Sequence, residues 1–292
     1  MDKVWLVTGA SRGLGRELAK AVVAAGDRLV ATARDPRALH DVVALRPERT
    51  LAVALDVTKA EDARRAVAAA VERFGRIDAL VNNAGYANTQ SIEDVDEADF
   101  RAQLETNFFG VFHVTRAVLP VMRNQKAGHV IQISSIGGRL GSAGLGAYQS
   151  AKWAVEGFTE VLLREVGPLG IKATLVEPGG FGTDWAGSSM RSDEPSEPYK
   201  ATVGAFAAHR QSGVARGDPA KAAQAILRIA SVADPPLRLL LGTDAIFLAE
   251  TIAKKRAAED ARWKGLGETT DLSGLAPFAD TETARAILRG AQ

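Results

Sequence analysis

Short apolar runs alternate along the chain with longer stretches in which apolar positions recur every three or four residues. The runs are Val4-Trp5-Leu6-Val7, Leu29-Val30-Ala31, residues 51–55, Ala79-Leu80-Val81, Val130-Ile131-Gln132-Ile133, residues 172–176 and residues 237–241. Runs this short and nearly unbroken predict strands buried on both faces. The periodic stretches predict helices over about 14–25, 60–74, 97–122 and 148–165, with Gly26 and Gly75 placed to end the first two. Strand, helix, strand in repetition implies parallel pairing through right-handed crossovers. The expected architecture is therefore α/β, a doubly wound parallel sheet of about seven strands with helices on both faces. Ligands of such sheets lie beyond the carboxyl ends of the strands, where the strand order reverses. The chemistry is accordingly sought just after each strand. Two regions break the rhythm: residues 184–216, polar and carrying Pro195 and Pro198, and residues 243–292, a helical patch over about 246–262 followed by a Gly/Thr/Asp-rich tail.

Composition narrows the classes. In 292 residues, 36 Lys+Arg against 35 Asp+Glu leave a net charge of +1, which lacks the electrostatic footprint of a nucleic-acid binder. Hydrophobic residues at 46% and charged residues at 24% describe a globular chain, not a disordered one. The absence of cysteine removes disulfides, thiolate metal sites and cysteine nucleophiles together. His40, His113, His129 and His209 are scattered without ligand-like spacing, so no metal is expected. No stretch approaches the roughly 18 apolar residues of a membrane span, and the start does not read as a secretory leader. The default expectation is a soluble, cytoplasmic protein with no membrane partner.

The first strand runs into Thr8-Gly9-Ala10-Ser11-Arg12-Gly13-Leu14-Gly15. Glycines there let the backbone approach a phosphate without Cβ clashes, and the following helix presents unpaired N–H groups and a partial positive charge to it. Between the first strand and first helix of an α/β chain, this turn points to a Rossmann dinucleotide site. At the end of the second strand, an acidic residue would bind the ribose 2′-OH of NAD, and an arginine would accommodate the 2′-phosphate of NADP. The segment reads Ala31-Thr32-Ala33-Arg34, and Arg12 reaches toward the same place, so the expected cofactor is NADP(H). The competing reading makes both arginines surface residues and turns Asp35 inward. Asp56, followed by Val57 after the third strand, suits the adenine amino group or caps the segment starting near Thr58.

Thr8 to Gly15, Asn82-Asn83-Ala84-Gly85, Asn107, Ser135, Tyr148-x-x-x-Lys152 and Pro178-Gly179 with Thr183 together resemble the short-chain dehydrogenase/reductase superfamily, in its single-domain branch. The resemblance spans roughly residues 1–242. It implies one Rossmann-type dinucleotide-binding and catalytic domain over 1–242, with residues 184–216 as a substrate-loop insert and 243–292 as an extension packed on it. Asn83, Ala84 and Gly85 would lie under the adenine ribose. Ser135 would be the catalytic serine, Tyr148 the proton donor or acceptor, Lys152 its partner and Asn107 the anchor of a proton relay. Pro178, Gly179, Phe181 and Thr183 would cover the nicotinamide.

The chemistry behind that pattern is concrete. The cofactor carries the hydride, and the protein supplies orientation and a proton. Tyr148 and Lys152 share a helix face at i and i+4. A free phenol has a pKa of about 10, too high for exchange near neutrality. A nearby ammonium favours the phenolate, and Lys152 is the expected source of that pull. The function expected is NADP(H)-dependent interconversion of a ketone or aldehyde and an alcohol, mainly as a carbonyl reductase on a small-molecule substrate. The alternatives are a non-catalytic NADP-binding sensor, which would normally lack the tyrosine or the lysine, and an NAD-dependent alcohol dehydrogenase. The glycine spacing speaks against an epimerase. Trp185, Met190, Tyr199 and Phe206 are candidates for an apolar lid or for local packing, and Arg139 faces either a carboxylated or phenolic substrate or solvent. The two long helices carry more apolar surface than one sheet face needs, which, with the habit of the relatives, points to a homodimer or homotetramer.

Overall fold

The structure, a computed structural model, describes residues 2–182, 190–212 and 215–289. Thr183 and Trp185 lie outside the described residues. The chain forms two units, Met1–Ile246 and Phe247–Gln292.

In the first unit, β1 (Val4–Val7), β2 (Arg28–Ala33), β3 (Thr50–Ala54), β4 (Ala79–Asn82), β5 (Gly128–Ile133), β6 (Ile171–Pro178) and β7 (Arg238–Leu241) make one sheet. Its order is β3-β2-β1-β4-β5-β6-β7, and every neighbouring pair is parallel. The order reverses between β1 and β4, so the loops leaving those two strands flank the crevice that a doubly wound sheet offers to a ligand.

Side chains alternate across the sheet, and each face has its own core. On one face Trp5 and Val7 of β1 and Leu29 and Ala31 of β2 pack with Leu18 and Val22 of α1 (Gly13–Ala24) and with Ala223 and Ile226 of α8 (Pro219–Ile229). On the other, Leu6, Val30, Leu80 and Val130 meet α3 (Ala60–Phe74), α5 (Gly110–Gln125) and α6 (Gly146–Val166) through Val67, Val118, Met122 and Leu162. Burying each of these leucines contributes about 2 kcal/mol, which is why the strands read as unbroken apolar runs. Gly75, at φ +76°, ends α3 as the sequence predicts.

The helices not foreseen are the short α2 (His40–Leu45), α7 (Ala205–Ser212) within the polar insert, α8, and α10 (Glu282–Arg289) in the stretch read as a Gly/Thr/Asp-rich tail. The helix expected over 97–122 is real but interrupted. α4 (Glu97–Leu104) passes through one wider π-turn, Glu105–Phe109, before α5 begins.

The second unit holds the greater part of α9 (Thr243–Glu268) and α10 (Glu282–Arg289). Phe247, Trp263, Leu266, Leu272, Leu275 and Phe278 are all exposed in it. Among the described residues no helix is long and apolar enough to cross a membrane, and no cluster of acidic residues and histidines could hold a metal ion.

Candidate active site

The glycine turn is locked to the loop after β4. Thr8 Oγ1 accepts from Asn83 N at 2.9 Å and Ala84 N at 3.0 Å, and Asn83 Nδ2 donates to Thr8 O at 2.9 Å and Gly9 O at 3.1 Å. No space remains for side chains here. A Cβ on Gly15 would stand 2.4 Å from Gly9 O and 2.3 Å from Asn83 Nδ2. Arg12 sits in extended backbone as the N-cap of α1 with no side-chain cap, which leaves the first N–H groups of the helix to an external acceptor. Beside the turn is a cleft of about 420 Å³ lined by Ser11, Arg12, Gly13, Arg16, Gly182 and Asp218. A cradle without room for Cβ atoms, opening on a helix N-terminus beside a cleft, fits a dinucleotide pyrophosphate.

At the end of β2, Arg34 is exposed. Asp35 does not turn inward: its carboxylate takes two hydrogen bonds from Arg37 Nε, at 2.9 and 3.1 Å, and one from Nη2 at 2.9 Å. Those bonds hold its pKa below the usual carboxylate value. Asp56 Oδ1 accepts from Thr58 N and from Thr58 Oγ1, which closes the turn ahead of α3; the helix itself starts beyond Thr58, with Lys59 as its N-cap, so Asp56 does not cap it. Val57 is buried, and its carbonyl bonds His113 Nδ1 at 3.2 Å.

The π-turn brings Asn107 inward, completely buried. Its Nδ2 donates to Tyr86 O and Gln103 O, both at 2.8 Å, and its Oδ1 accepts from Tyr86 N at 3.1 Å. These bonds fix the segment Gly85–Tyr86, where a Cβ on Gly85 would lie 2.5 Å from Asn107 Oδ1 and 3.8 Å from Lys152 Nζ. Lys152 Nζ donates to Ile133 O at 2.8 Å and lies 5.6 Å from the centre of the Tyr148 ring. Ser135, just past β5, accepts from Gly137 N at 3.0 Å and hydrogen-bonds the Tyr148 hydroxyl. Ser135, Tyr148, Lys152 and Asn107 thus surround one buried point beside the ends of β4 and β5. Ser134 faces the opposite way and donates to Glu156.

The electrostatics differ from the sequence expectation. Burial pushes Tyr148 up to about 12; the hydrogen bond from Ser135 and the charge of Arg210 pull it back. The same burial brings Lys152 down to about 8. The residue cation drawing the phenol toward ionisation is therefore one on α7, and desolvation outweighs it.

The short chain dehydrogenase family model matches residues 3–194. An oxidoreductase of Botryotinia fuckeliana, BOA17, is 51% identical over 269 residues, covering 91% of this chain and 98% of the relative. A short-chain dehydrogenase from Streptomyces avermitilis, known as a crystal structure, is 42% identical; the match covers 93% of this chain and 99% of that one, with a TM-score of 0.88. A short chain dehydrogenase/reductase from Burkholderia phymatum, solved in complex with NAD, is 25% identical over 90% of this chain and 95% of its own, with a TM-score of 0.76. The chain belongs to the short chain dehydrogenase family. It is an oxidoreductase of that family.

Within this dehydrogenase the loop after β6 is held by backbone from two later segments. Gly179 N donates to Leu241 O, and Phe181 bridges Gly217 with its ring filling the space a Gly217 side chain would need. Sequence reasoning missed what secures it. Asp244, at the start of α9, accepts from Gly180 N at 2.7 Å. It also missed an ionic cluster built around two buried carboxylates, Glu156 and Glu177. Arg238 of β7 reaches Glu156, Glu160 and Glu177, and Arg139 reaches Glu177 at 2.7 Å. Arg139 is thus directed to a buried carboxylate, which corrects both fates considered for it. Of the lid candidates, Met190 and Phe206 pack against the cluster of Ala87, Leu145 and Tyr148, whereas Tyr199 hydrogen-bonds Glu93.

Proposed function

We propose that the chain is an NADP(H)-dependent carbonyl reductase that interconverts a ketone or aldehyde and the matching alcohol. The observation carrying this reading is the convergence of Ser135, Tyr148 and Lys152 on one buried point, backed by Asn107 through Gly85. Gly9, Ser11, Arg12, Gly13, Leu14 and Gly15 hold the pyrophosphate, and Arg12 and Arg34 take the 2′-phosphate. Asp56 and Val57 border the adenine, and Asn83, Ala84 and Gly85 lie under its ribose. Tyr148 and Lys152 reach the nicotinamide ribose, and Pro178, Gly179, Phe181 and Thr183 lie against the ring. Once bound, the cofactor supplies or accepts a hydride at the carbonyl carbon.

The side chains do the rest. In reduction Tyr148 gives its proton to the carbonyl oxygen, and in oxidation it takes that proton back. Ser135 holds the same oxygen by a hydrogen bond. Lys152, held by Ile133 O with its ammonium 5.6 Å from the centre of the Tyr148 ring, keeps the cofactor ribose beside the phenol. Asn107 acts as a positioning residue, since its side-chain amide is committed to the backbone of Tyr86 and Gln103. NADP is favoured over NAD because the carboxylate nearest the end of β2, Asp35, is occupied by Arg37 while Arg34 stands exposed. The bound protein works as a homodimer or homotetramer in the cytoplasm.

The test is NADPH oxidation over a panel of ketones and aldehydes. Tyr148→Phe should lower kcat/KM between about a hundred- and ten-thousand-fold while NADPH still binds. A Tyr148→Phe variant as fast as the parent would remove the proposal.

A further inference from the structure

Resting on that reading of the site, we propose that Asp244 is a positioning residue for the cofactor: its carboxylate fixes the turn after β6, and through that turn the nicotinamide half of the dinucleotide and not the adenosine half. The turn is Gly179-Gly180-Phe181-Gly182. With glycine at all but one position it has little conformational preference of its own, so its shape is set by what holds it. Gly179 N donates to Leu241 O at 2.9 Å, Gly182 N to Gly217 O at 3.0 Å, and Gly180 O accepts from Arg216 N at 3.1 Å and Gly217 N at 2.9 Å. Those bonds join main chain to main chain. The bond from Gly180 N to Asp244 Oδ2, at 2.7 Å, is made by a side chain. The parallel bridge between Phe181 and Gly217 uses Gly180 O and Gly182 N, so the N–H and C=O of Phe181 point away from it. A cofactor amide bonded to Phe181 is placed only as accurately as Gly180 and Gly182 are.

The surroundings are shaped to the carboxylate. Gly242, at φ +101°, turns the chain from β7 into α9 and leaves room for the side chain two residues on: a Cβ there would stand 2.5 Å from Asp244 Oδ1. A Cβ on Gly179 would stand 2.3 Å from Oδ2 and 2.4 Å from Oδ1. A negative charge in the first turn of a helix is favourable in itself. This one is directed across to Gly180 and away from water, and its Oδ1 is buried without a hydrogen-bond partner among the described residues. Withdrawing a carboxylate oxygen from water carries a cost that a solvated surface aspartate does not incur. The adenosine half is held elsewhere. The glycine turn after β1 is fixed by Thr8 and Asn83, with no bond to Asp244 among the described residues. Removing the carboxylate therefore loosens one half of the cofactor and leaves the other in place.

The experiment uses the full chain as parent, Asp244→Ala and Asp244→Asn. Two ligands are titrated: NADPH, followed by its fluorescence, and adenosine 2′,5′-bisphosphate, which carries the adenosine and the 2′-phosphate without the nicotinamide, followed by calorimetry. Asp244→Ala should weaken NADPH binding about tenfold or more, the size of one charge-assisted hydrogen bond, and leave the bisphosphate unchanged. Asp244→Asn keeps an oxygen for Gly180 N and should restore most of the loss. Equal weakening of both ligands, or of neither, overturns the inference, as does an Asp244→Asn variant no better than Asp244→Ala. Turnover of ketones and aldehydes separates this from the proposed reaction. Asp244-dependent binding of NADPH, but not of the bisphosphate, without turnover of any carbonyl would refute the reductase and keep the positioning role. Turnover by the parent, with Asp244→Ala binding NADPH as tightly, does the reverse.

Discussion

At the scale of single residues, the site is a set of fixed backbones with a few working side chains. Thr8, Asn83 and Asn107 spend their polar atoms on neighbouring main chain, which sets where Gly9, Gly85 and Tyr86 lie. Arg12 and Arg34 act differently, since their charge is directed outward. If they hold a 2′-phosphate, Arg34→Ala should raise KM for NADPH about tenfold or more, and NADH turnover should change little. Equal effects on both cofactors, measured as kcat/KM, would argue that Arg34 is a solvated residue and nothing more. Ser135, Tyr148 and Lys152 were legible in the sequence because their spacing within a helix and after a strand is local. Arg210 and Asp244 were not. Each belongs to a distant segment and reaches the site only through the fold, and neither carries a local pattern that distinguishes it from a surface charge.

At the scale of elements, the strands and long helices were legible because burial on two faces or one face imposes a period on the sequence. α8 was missed although Asp218-Pro219 announces it: the aspartate accepts from Ala220 N and Lys221 N, and the proline occupies the first turn. The ionic cluster of Glu156, Glu177, Arg139 and Arg238 escaped for the opposite reason. Charged residues read as solvent-facing unless their partners are known, and these partners come from the turn after β5, α6, β6 and β7. A polar residue inside β5 also has a measurable consequence. His129 Nε2 bonds Thr174 Oγ1 at 2.9 Å, while Thr174 gives its own proton to Pro236 O, so the ring is neutral with the proton on Nε2. Its Nδ1 is buried without a partner, and burial brings the pKa down to about 4 from 6.5. The unfolded chain therefore binds a proton that the folded chain refuses. Stability from this residue is complete above about pH 6.5 and is lost as pH falls toward 4, by about 3 kcal/mol in all. Urea midpoints of the parent should fall across that window, and those of His129→Gln should fall less; parallel curves would show that another group governs the acid sensitivity.

At the scale of the whole molecule, the first unit contains every described residue assigned to the cofactor or to catalysis, and the second is a largely exposed helical segment. Phe109, Trp153 and Val161, on the π-turn and α6, are large apolar side chains left exposed in the first unit. They support the proposed self-association. Light scattering should return two or four times the chain mass of 30.8 kDa, and Val161→Glu should lower it to one. A parent that already scatters as a single chain would remove the dimer and tetramer together.

The wide turn at Glu105–Phe109 makes the polypeptide tolerant of shortening at one place and intolerant nearby. Such a turn is in effect one surplus residue inserted into an α-helix. Omitting Asn107 would let α4 and α5 join as a regular helix, with the apolar side of α5 still turned toward the sheet. Omitting Thr115 would rotate everything after it by about 100° and direct Val118 and Met122 away from their core. The first deletion should leave a folded, inactive protein by circular dichroism and urea titration, and the second an unfolded one. The bulge is thus a seam at which catalytic competence can be excised from the architecture without dismantling it.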